Sequence, residues 1–159
     1  YYLGLYDIWS SYKAEDEGVV IAYTSVYGNT RKAALLLAEK LEEKGVTVSV
    51  HDLARTDMAE AVEDAFRYSK LVLATTTYNG DVFPFMKEYI HHLTERNYQN
   101  RTVALMENGS WAPVAGKVMA KMLEGSKNLT FAENSVKIFS ALSQESRDQI
   151  EALAVELSR

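Results

Sequence analysis

The sequence predicts an α/β domain: a doubly wound, five-stranded parallel sheet with helices on both faces. Three observations point there. Apolar strand-like runs and helical patterns alternate about five times over roughly 140 residues, and such alternation implies parallel strands with crossover helices. Several of the runs are apolar at successive positions, the mark of strands buried on both faces. Prolines and glycines punctuate the helical patterns rather than the runs. Right-handed crossovers leave the doubly wound sheet as the simplest topology.

The elements follow in order. Residues 1–17 are expected to form a lead-in helix or linker, Tyr-rich with apolar Leu3, Leu5, Tyr6, Ile8, Trp9 and Tyr12 and then a charged break over Lys13–Gly18. Residues 18–159 are expected to be the domain. Val19–Thr24 is a continuous apolar strand. Thr30–Lys44 is a helix with Ala33, Ala34, Leu37, Ala38 and Leu41 on one stripe, stopped by Gly45. Val46–Val50 alternates as a strand. Asp57 suits the N-cap of a helix reaching Tyr68. Lys70–Thr75 is a second buried strand, and Pro84 opens a helix running to about Glu95. Arg101–Glu107 is a third buried strand, Pro113 opens a helix ending at Gly125, and Val136–Phe139 is the last strand. Ser143 caps a C-terminal amphipathic helix.

Composition limits the function classes. At 159 residues, 47% hydrophobic and 25% charged, the chain has one domain's length and an ordinary globular make-up. A net charge of −5 without a basic cluster argues against nucleic acid or an anionic membrane as partner. No apolar run approaches the ~20 residues of a membrane span, and no signal peptide is visible. The absence of cysteine removes disulfides, thiolate metal sites and a cysteine nucleophile, and fits a cytoplasmic location. The chain opens with Tyr1 rather than Met, so it is expected to be cut from something longer.

In a doubly wound sheet, ligands bind beyond the carboxyl ends of the strands, at the switch in strand order. Three loops lie there. The first, Thr24–Thr30, offers hydroxyls at Ser25 and Thr30, backbone freedom at Gly28, and N–H groups from Tyr27 to Thr30 converging at a helix N-terminus. It has no lysine, so it is no nucleoside-triphosphate loop, and it is not G-x-G-x-x-G. One monophosphate held by neutral donors suits it, while the plainer reading is an N-cap. The second, Thr76–Asp81, carries Tyr78 beside Asn79-Gly80, a pair suited to positive φ. The third, Asn108–Pro113, carries Trp111. A polar turn and a core-capping aromatic are the plainer readings of these two. Together they present an anion loop and two aromatic faces able to sandwich a planar heteroaromatic.

The segments SVYGNT, TTTYNGDVFPF and ENGSWAP resemble the flavodoxin-like fold, and most closely the flavodoxin-like domain of A-type flavoproteins, also called flavodiiron proteins. There the first loop typically reads S-M-Y-G-N-T, the second S-P-T-Y-N, and the third carries a Trp. The lead-in ending in YDIWSSY is similar to the helix joining the two domains of that family. Val26 stands for the usual Met, Thr76 for a common Pro, and the F-G-S-Y-G-W wording of some members is missing. The resemblance implies flavin mononucleotide (FMN) as cofactor. Its phosphate would be held by Ser25, Val26, Tyr27, Gly28, Asn29 and Thr30. One side of the ring would be bordered by Thr77, Tyr78, Asn79 and Gly80, the other by Asn108, Gly109, Ser110 and Trp111. It implies electron transfer with no catalytic acid, base or nucleophile in this chain. In the family the flavin passes electrons from a rubredoxin-like donor to a diiron site in a metallo-β-lactamase-like domain, often across a head-to-tail homodimer.

That domain's ligand pattern is absent from the sequence. His51 ends a strand, and His91 and His92 point about 100° apart on a helix, so these histidines are expected to be packed or solvent-facing. Other readings are a free-standing flavodoxin, a flavodoxin-type NAD(P)H:quinone reductase, or a non-redox receiver-like module. A receiver needs an acidic cluster where TSVYGNT stands, whereas Asp16 and Glu17 lie before the strand.

Overall fold

The structure is a computed structural model, and it describes residues 16–24, 29–55, 57–78, 81–82, 84–96, 98–108, 115–124, 126, 128–138 and 143–158. In chain order the elements are β1 (Asp16–Tyr23), α1 (Asn29–Glu43), β2 (Val48–Asp52), α2 (Met58–Arg67), β3 (Tyr68–Tyr78), β4 (Asp81–Val82), α3 (Pro84–Glu95), β5 (Arg101–Asn108), α4 (Ala115–Met122), β6 (Leu129–Phe131), β7 (Val136–Ile138) and α5 (Gln144–Leu157). The lead-in before Asp16 and the start of the helix expected at Pro113 lie outside the described residues.

The sheet runs β2-β1-β3-β5, and β5 then pairs in parallel with both β6 and β7. β6 lies against Arg101–Val103 and β7 against Met106–Asn108, so the two form one fifth strand position interrupted by residues 132–135. Only β4 is antiparallel, paired to the end of β3. The fold is therefore the doubly wound, flavodoxin-like sheet of five positions.

Several elements differ from expectation: β2 runs Val48–Asp52 rather than Val46–Val50, α2 gives up Tyr68 to β3, and α4 ends at Met122 rather than Gly125. β3 continues through Thr76, Thr77 and Tyr78, which the polar composition assigns to a loop, because β5 offers partners as far as Asn108 opposite Thr76. β1 starts at Asp16, opposite Tyr68, so Asp16 and Glu17 belong to the strand and not to the charged break. β6 has no counterpart among the expected strands, since its three residues, Leu-Thr-Phe, are too few to register as a period.

Successive strand residues feed two cores. Val19, Ile21, Val72, Ala74, Ala104 and Met106 pack under α1 and α5. Val20, Ala22, Leu71, Leu73 and Val103 pack under α2, α3 and α4. The expected stripe of α1 is buried throughout, and its alanines let the helix lie close to the sheet. Gly45, with φ of +81°, ends α1 in a Schellman motif: its N–H donates to the Glu42 carbonyl and the Val46 N–H to that of Leu41. Asp57 and Ser143 cap α2 and α5 as expected, their side chains accepting from Ala59 N and Ser146 N.

At the outer edge of the sheet, α5 side chains bond the backbone of the interrupted strand. The Glu156 carboxylate accepts from the N–H groups of Glu133 and Asn134 at 2.8 and 2.9 Å. Lys137 N donates to Gln149 Oε1 at 2.9 Å, and Ser146 Oγ donates to the Lys137 carbonyl at 3.2 Å. α5 is tied to α1 as well, where Glu151 takes Lys40 and Lys44. Those two ammonium groups hold the Glu151 carboxyl below its usual range.

Beneath the sheet, at the amino ends of the strands, helices finish and their last carbonyls need donors. Arg101 supplies them for α2. Its guanidinium donates to the carbonyls of Phe66 and Tyr68 at 2.7 and 3.1 Å, and to those of Gln99 and Asn100. Its charge also lies 5.6 Å from the centre of the Tyr98 ring. Lys70 Nζ donates to the Leu157 carbonyl at 2.6 Å and finishes α5. Burial lowers the Arg101 pKa from its ordinary value and raises that of Tyr98. The Tyr98 hydroxyl itself has no hydrogen-bond partner.

Arg101→Ala is expected to lower the unfolding free energy by about 2–4 kcal/mol, because several buried carbonyls lose a charged donor at once. Arg101→Lys should recover little, as a single ammonium cannot fork to both chain segments. Tyr98→Phe, which removes only the unpaired hydroxyl, should leave stability equal or higher. Urea denaturation midpoints check all three.

Candidate functional site at the carboxyl edge of the sheet

The chain turns left from β1 to β2 and then returns to place β3 on the other side of β1. The switch in strand order therefore falls between β1 and β3, and the site is built on it. Both apolar runs end there in threonine. Thr24 Oγ1 and Thr75 Oγ1 lie 2.6 Å apart, both fully buried, and Thr24 N donates to the Ala74 carbonyl at 3.0 Å. This hydroxyl pair closes the switch point at the level where the loops begin.

α1 starts just above it. Its first turn holds no acidic residue, as is also true of α3 and α4, whereas the first turns of α2 and α5 carry Glu60 and Glu145. The positive end of the α1 dipole is thus left uncompensated by its own side chains. Thr30, the second residue of α1, is buried. Asn108, the last residue of β5, donates through Nδ2 to Thr30 Oγ1 at 3.4 Å, across 78 residues of sequence. Glu107 is buried beside it. Thr24, Thr30, Thr75, Glu107 and Asn108 make the carboxyl edge the main concentration of buried polar side chains among the described residues.

The expected site residues are distributed as follows. Thr30 and Asn108 are brought into contact. Asn29 opens α1, and Thr77 and Tyr78 end β3, where they pair with Val82 and Asp81; only the backbones of these three are described. That register leaves two residues, Asn79 and Gly80, between the paired Tyr78 and Asp81. Those two, together with Ser25, Val26, Tyr27, Gly28, Gly109, Ser110 and Trp111, lie outside the described residues. The sequence reading did not single out Thr75, nor Glu107. A signal for the first was present, since VVIAYT and KLVLAT each close on a threonine.

The donor set suits a monoanionic or dianionic phosphate group. The hydroxyls, the Asn108 amide and the α1 N-terminus can hold such a group, the buried Glu107 carboxyl stands at the same edge as an acid, and no lysine or arginine from the described residues is among the buried polar groups there. Of the histidines, His91 is exposed on α3. His51 is buried on β2, with Nε2 2.7 Å from Asp64 Oδ2 on α2, and Ser49 Oγ donates to the same oxygen at 2.9 Å. His92 meets Glu88 and Arg96 along α3. Among the described residues no group of three or more histidine, aspartate and glutamate side chains is placed to hold a metal ion. No described helix is long and apolar enough to cross a membrane. Asp16 and Glu17 stand at the amino end of β1, the edge opposite the site, where a receiver's acidic cluster would have no function.

A doubly wound parallel sheet of this order defines a flavodoxin-type domain. The chain belongs to the flavodoxin-domain family, whose model matches residues 20–155. It is 21% identical over 141 residues to the rubredoxin-oxygen oxidoreductase of Megalodesulfovibrio gigas, covering 89% of this chain and 35% of that protein. It is 23% identical over 131 residues to the anaerobic nitric oxide reductase flavorubredoxin of Pectobacterium atrosepticum, covering 80% and 26%. The chain thus spans about a third or less of these relatives. Among solved structures, the rubredoxin oxygen:oxidoreductase of Desulfovibrio gigas superposes with a TM-score of 0.90 at 20% identity, over 99% of this chain and 39% of that one. The flavodiiron protein of Giardia intestinalis gives 0.86 at 18%, over 98% and 39%. An archaeal flavodoxin gives 0.76 at 16%, over 90% and 96%.

Thr75→Val leaves the Thr24 hydroxyl buried without its partner and is expected to cost about 1–3 kcal/mol. The double variant Thr24→Val/Thr75→Val should cost less than the two single changes summed, since neither side chain then carries an unmet polar group. Thermal or urea unfolding of the three variants measures both.

Proposed function

We propose that this domain binds FMN at the carboxyl edge of its sheet and works as an electron carrier. In this reading it is the flavin half of a flavodiiron-type oxygen or nitric oxide reductase of the cytoplasm. A rubredoxin-like protein would be the donor. A diiron, metallo-β-lactamase-like domain outside this sequence would be the acceptor, reached within a chain or across a homodimer. The observation that carries the reading is the polar cluster at the switch point: Thr30 in the first turn of α1, joined to Asn108, above the buried Thr24–Thr75 pair. The names of the curated relatives support the flavodiiron assignment over a free-standing flavodoxin or a quinone reductase.

When bound, FMN supplies one- and two-electron redox chemistry, which is the cofactor's own. This chain's residues bind and orient it. The backbone N–H groups and hydroxyls of the segment Ser25–Thr30 hold the phosphate, with the α1 dipole favouring its charge. Thr77 to Gly80 would border one side of the ring, and the segment from Gly109 to Trp111 would border the other, with Trp111 as the candidate for stacking. No side chain is required to exchange a proton with a substrate.

Adding FMN to the purified chain should yield a yellow protein with a flavin absorbance band that bleaches on reduction. A protein that stays colourless and leaves the fluorescence of added FMN unchanged overturns the reading. Thr30→Ala is expected to weaken FMN binding by about 1–3 kcal/mol through loss of a buried donor. Titration of flavin fluorescence measures it.

A further inference from the structure

Asn108 closes the third loop's strand, and its place in sequence puts it on the ring side of the site. Its side chain lies elsewhere. Along β5, Ala104 and Met106 face the core beneath α1 and α5. Asn108, two residues further on, keeps the same face. It is buried there, with 7% of its surface exposed, and its Nδ2 reaches Thr30 Oγ1 at 3.4 Å. The contact joins the end of β5 directly to the first turn of α1.

A threonine hydroxyl has one proton to donate and two lone pairs to accept with. An amide N–H from Asn108 occupies a lone pair. That bond restricts the hydroxyl rotor, because the proton must lie away from the lone pair that the amide occupies. At the uncompensated N-terminus of α1, the acceptor that gains most from such a donor is an anion. Resting on the flavin reading above, we propose that Asn108 is a positioning residue for the phosphate half of the site. It acts through the Thr30 hydroxyl and is not a wall of the ring half.

This assignment separates two ligands that share a ring. Riboflavin carries the same isoalloxazine as FMN and lacks the phosphate. A residue that lines the ring affects both alike, whereas one that orients a phosphate donor affects FMN alone. The test titrates the full chain with each flavin, following fluorescence, for the wild type, Asn108→Ala, Thr30→Val and the double variant. Asn108→Ala is expected to weaken FMN about 5- to 30-fold, the loss of one buried hydrogen bond's contribution, and to leave riboflavin affinity within about twofold. In the Thr30→Val background the same change should have almost no further effect on FMN, because the hydroxyl it orients is gone.

Equal loss of FMN and riboflavin overturns the proposal and makes Asn108 a ring wall. Losses that add in the double variant overturn it too, since Asn108 then acts independently of Thr30. A wild-type chain that takes up neither flavin overturns the flavin reading and this proposal with it. Should Asn108→Ala fail to melt cooperatively, Asn108→Leu keeps the side chain's shape while removing the Nδ2 donor and adding no charge. The same selective loss of FMN, absent in the Thr30→Val background, is then the expected outcome, and equal loss of both flavins the overturning one.

Discussion

All five strand positions of the sheet run in one direction, and the rest of the molecule follows from that constraint. Parallel neighbours must be joined by crossovers, so every long helix starts at the carboxyl edge of the sheet and ends at the amino edge. Helix N–H groups therefore collect on one side and helix carbonyls on the other. The side chains answer each. At the amino edge two cations meet the carbonyls: Arg101 serves the end of α2, and Lys70 the end of α5. At the carboxyl edge the buried polar side chains among the described residues are Thr24, Thr30, Thr75, Glu107 and Asn108, with no buried cation among them.

The same constraint explains why the two edges differ in what they tolerate. Arg101 is desolvated, with its donors spread over four carbonyls from two chain segments, so the amino edge is locked by its own charges. The carboxyl edge is held by neutral bonds across large sequence separations, 51 residues between Thr24 and Thr75 and 78 between Thr30 and Asn108. Such bonds fix where the loops start without dictating what they enclose. That is the division of labour expected when a rigid scaffold carries binding loops.

Much of this was legible in the sequence. Continuous apolar runs at Val19–Thr24, Lys70–Thr75 and Arg101–Glu107 identified the three central strands, because burial on both faces leaves no polar alternation. Asp57, Ser143, Gly45 and Pro84 marked helix ends because their chemistry at those positions is local. The edge of the sheet was less readable. β6 is three residues long and owes its place to pairing with β5, a tertiary fact with no sequence period. The extension of β3 through Tyr78 likewise depends on partners in β4 and β5. For the site, a hydroxyl at position 30 was recognisable from the loop motif. Its partnership with Asn108 was not, since the sequence shows that a residue ends a strand but not which helix its side chain meets.

The outer edge of the interrupted strand carries one more consequence. An edge strand normally exposes a row of unmet backbone groups, a template on which another chain can add itself. Here Glu156, Gln149 and Ser146 fill those groups from within, using a helix already fastened to the sheet by its apolar face. The helix acts as a dummy neighbour at Glu133, Asn134 and Lys137, so this stretch of the edge offers those groups to no added strand. The same carboxylate and amide that finish these backbone groups also fasten the break between β6 and β7 to a helix that packs on the core, so the interrupted strand is held at its weakest point.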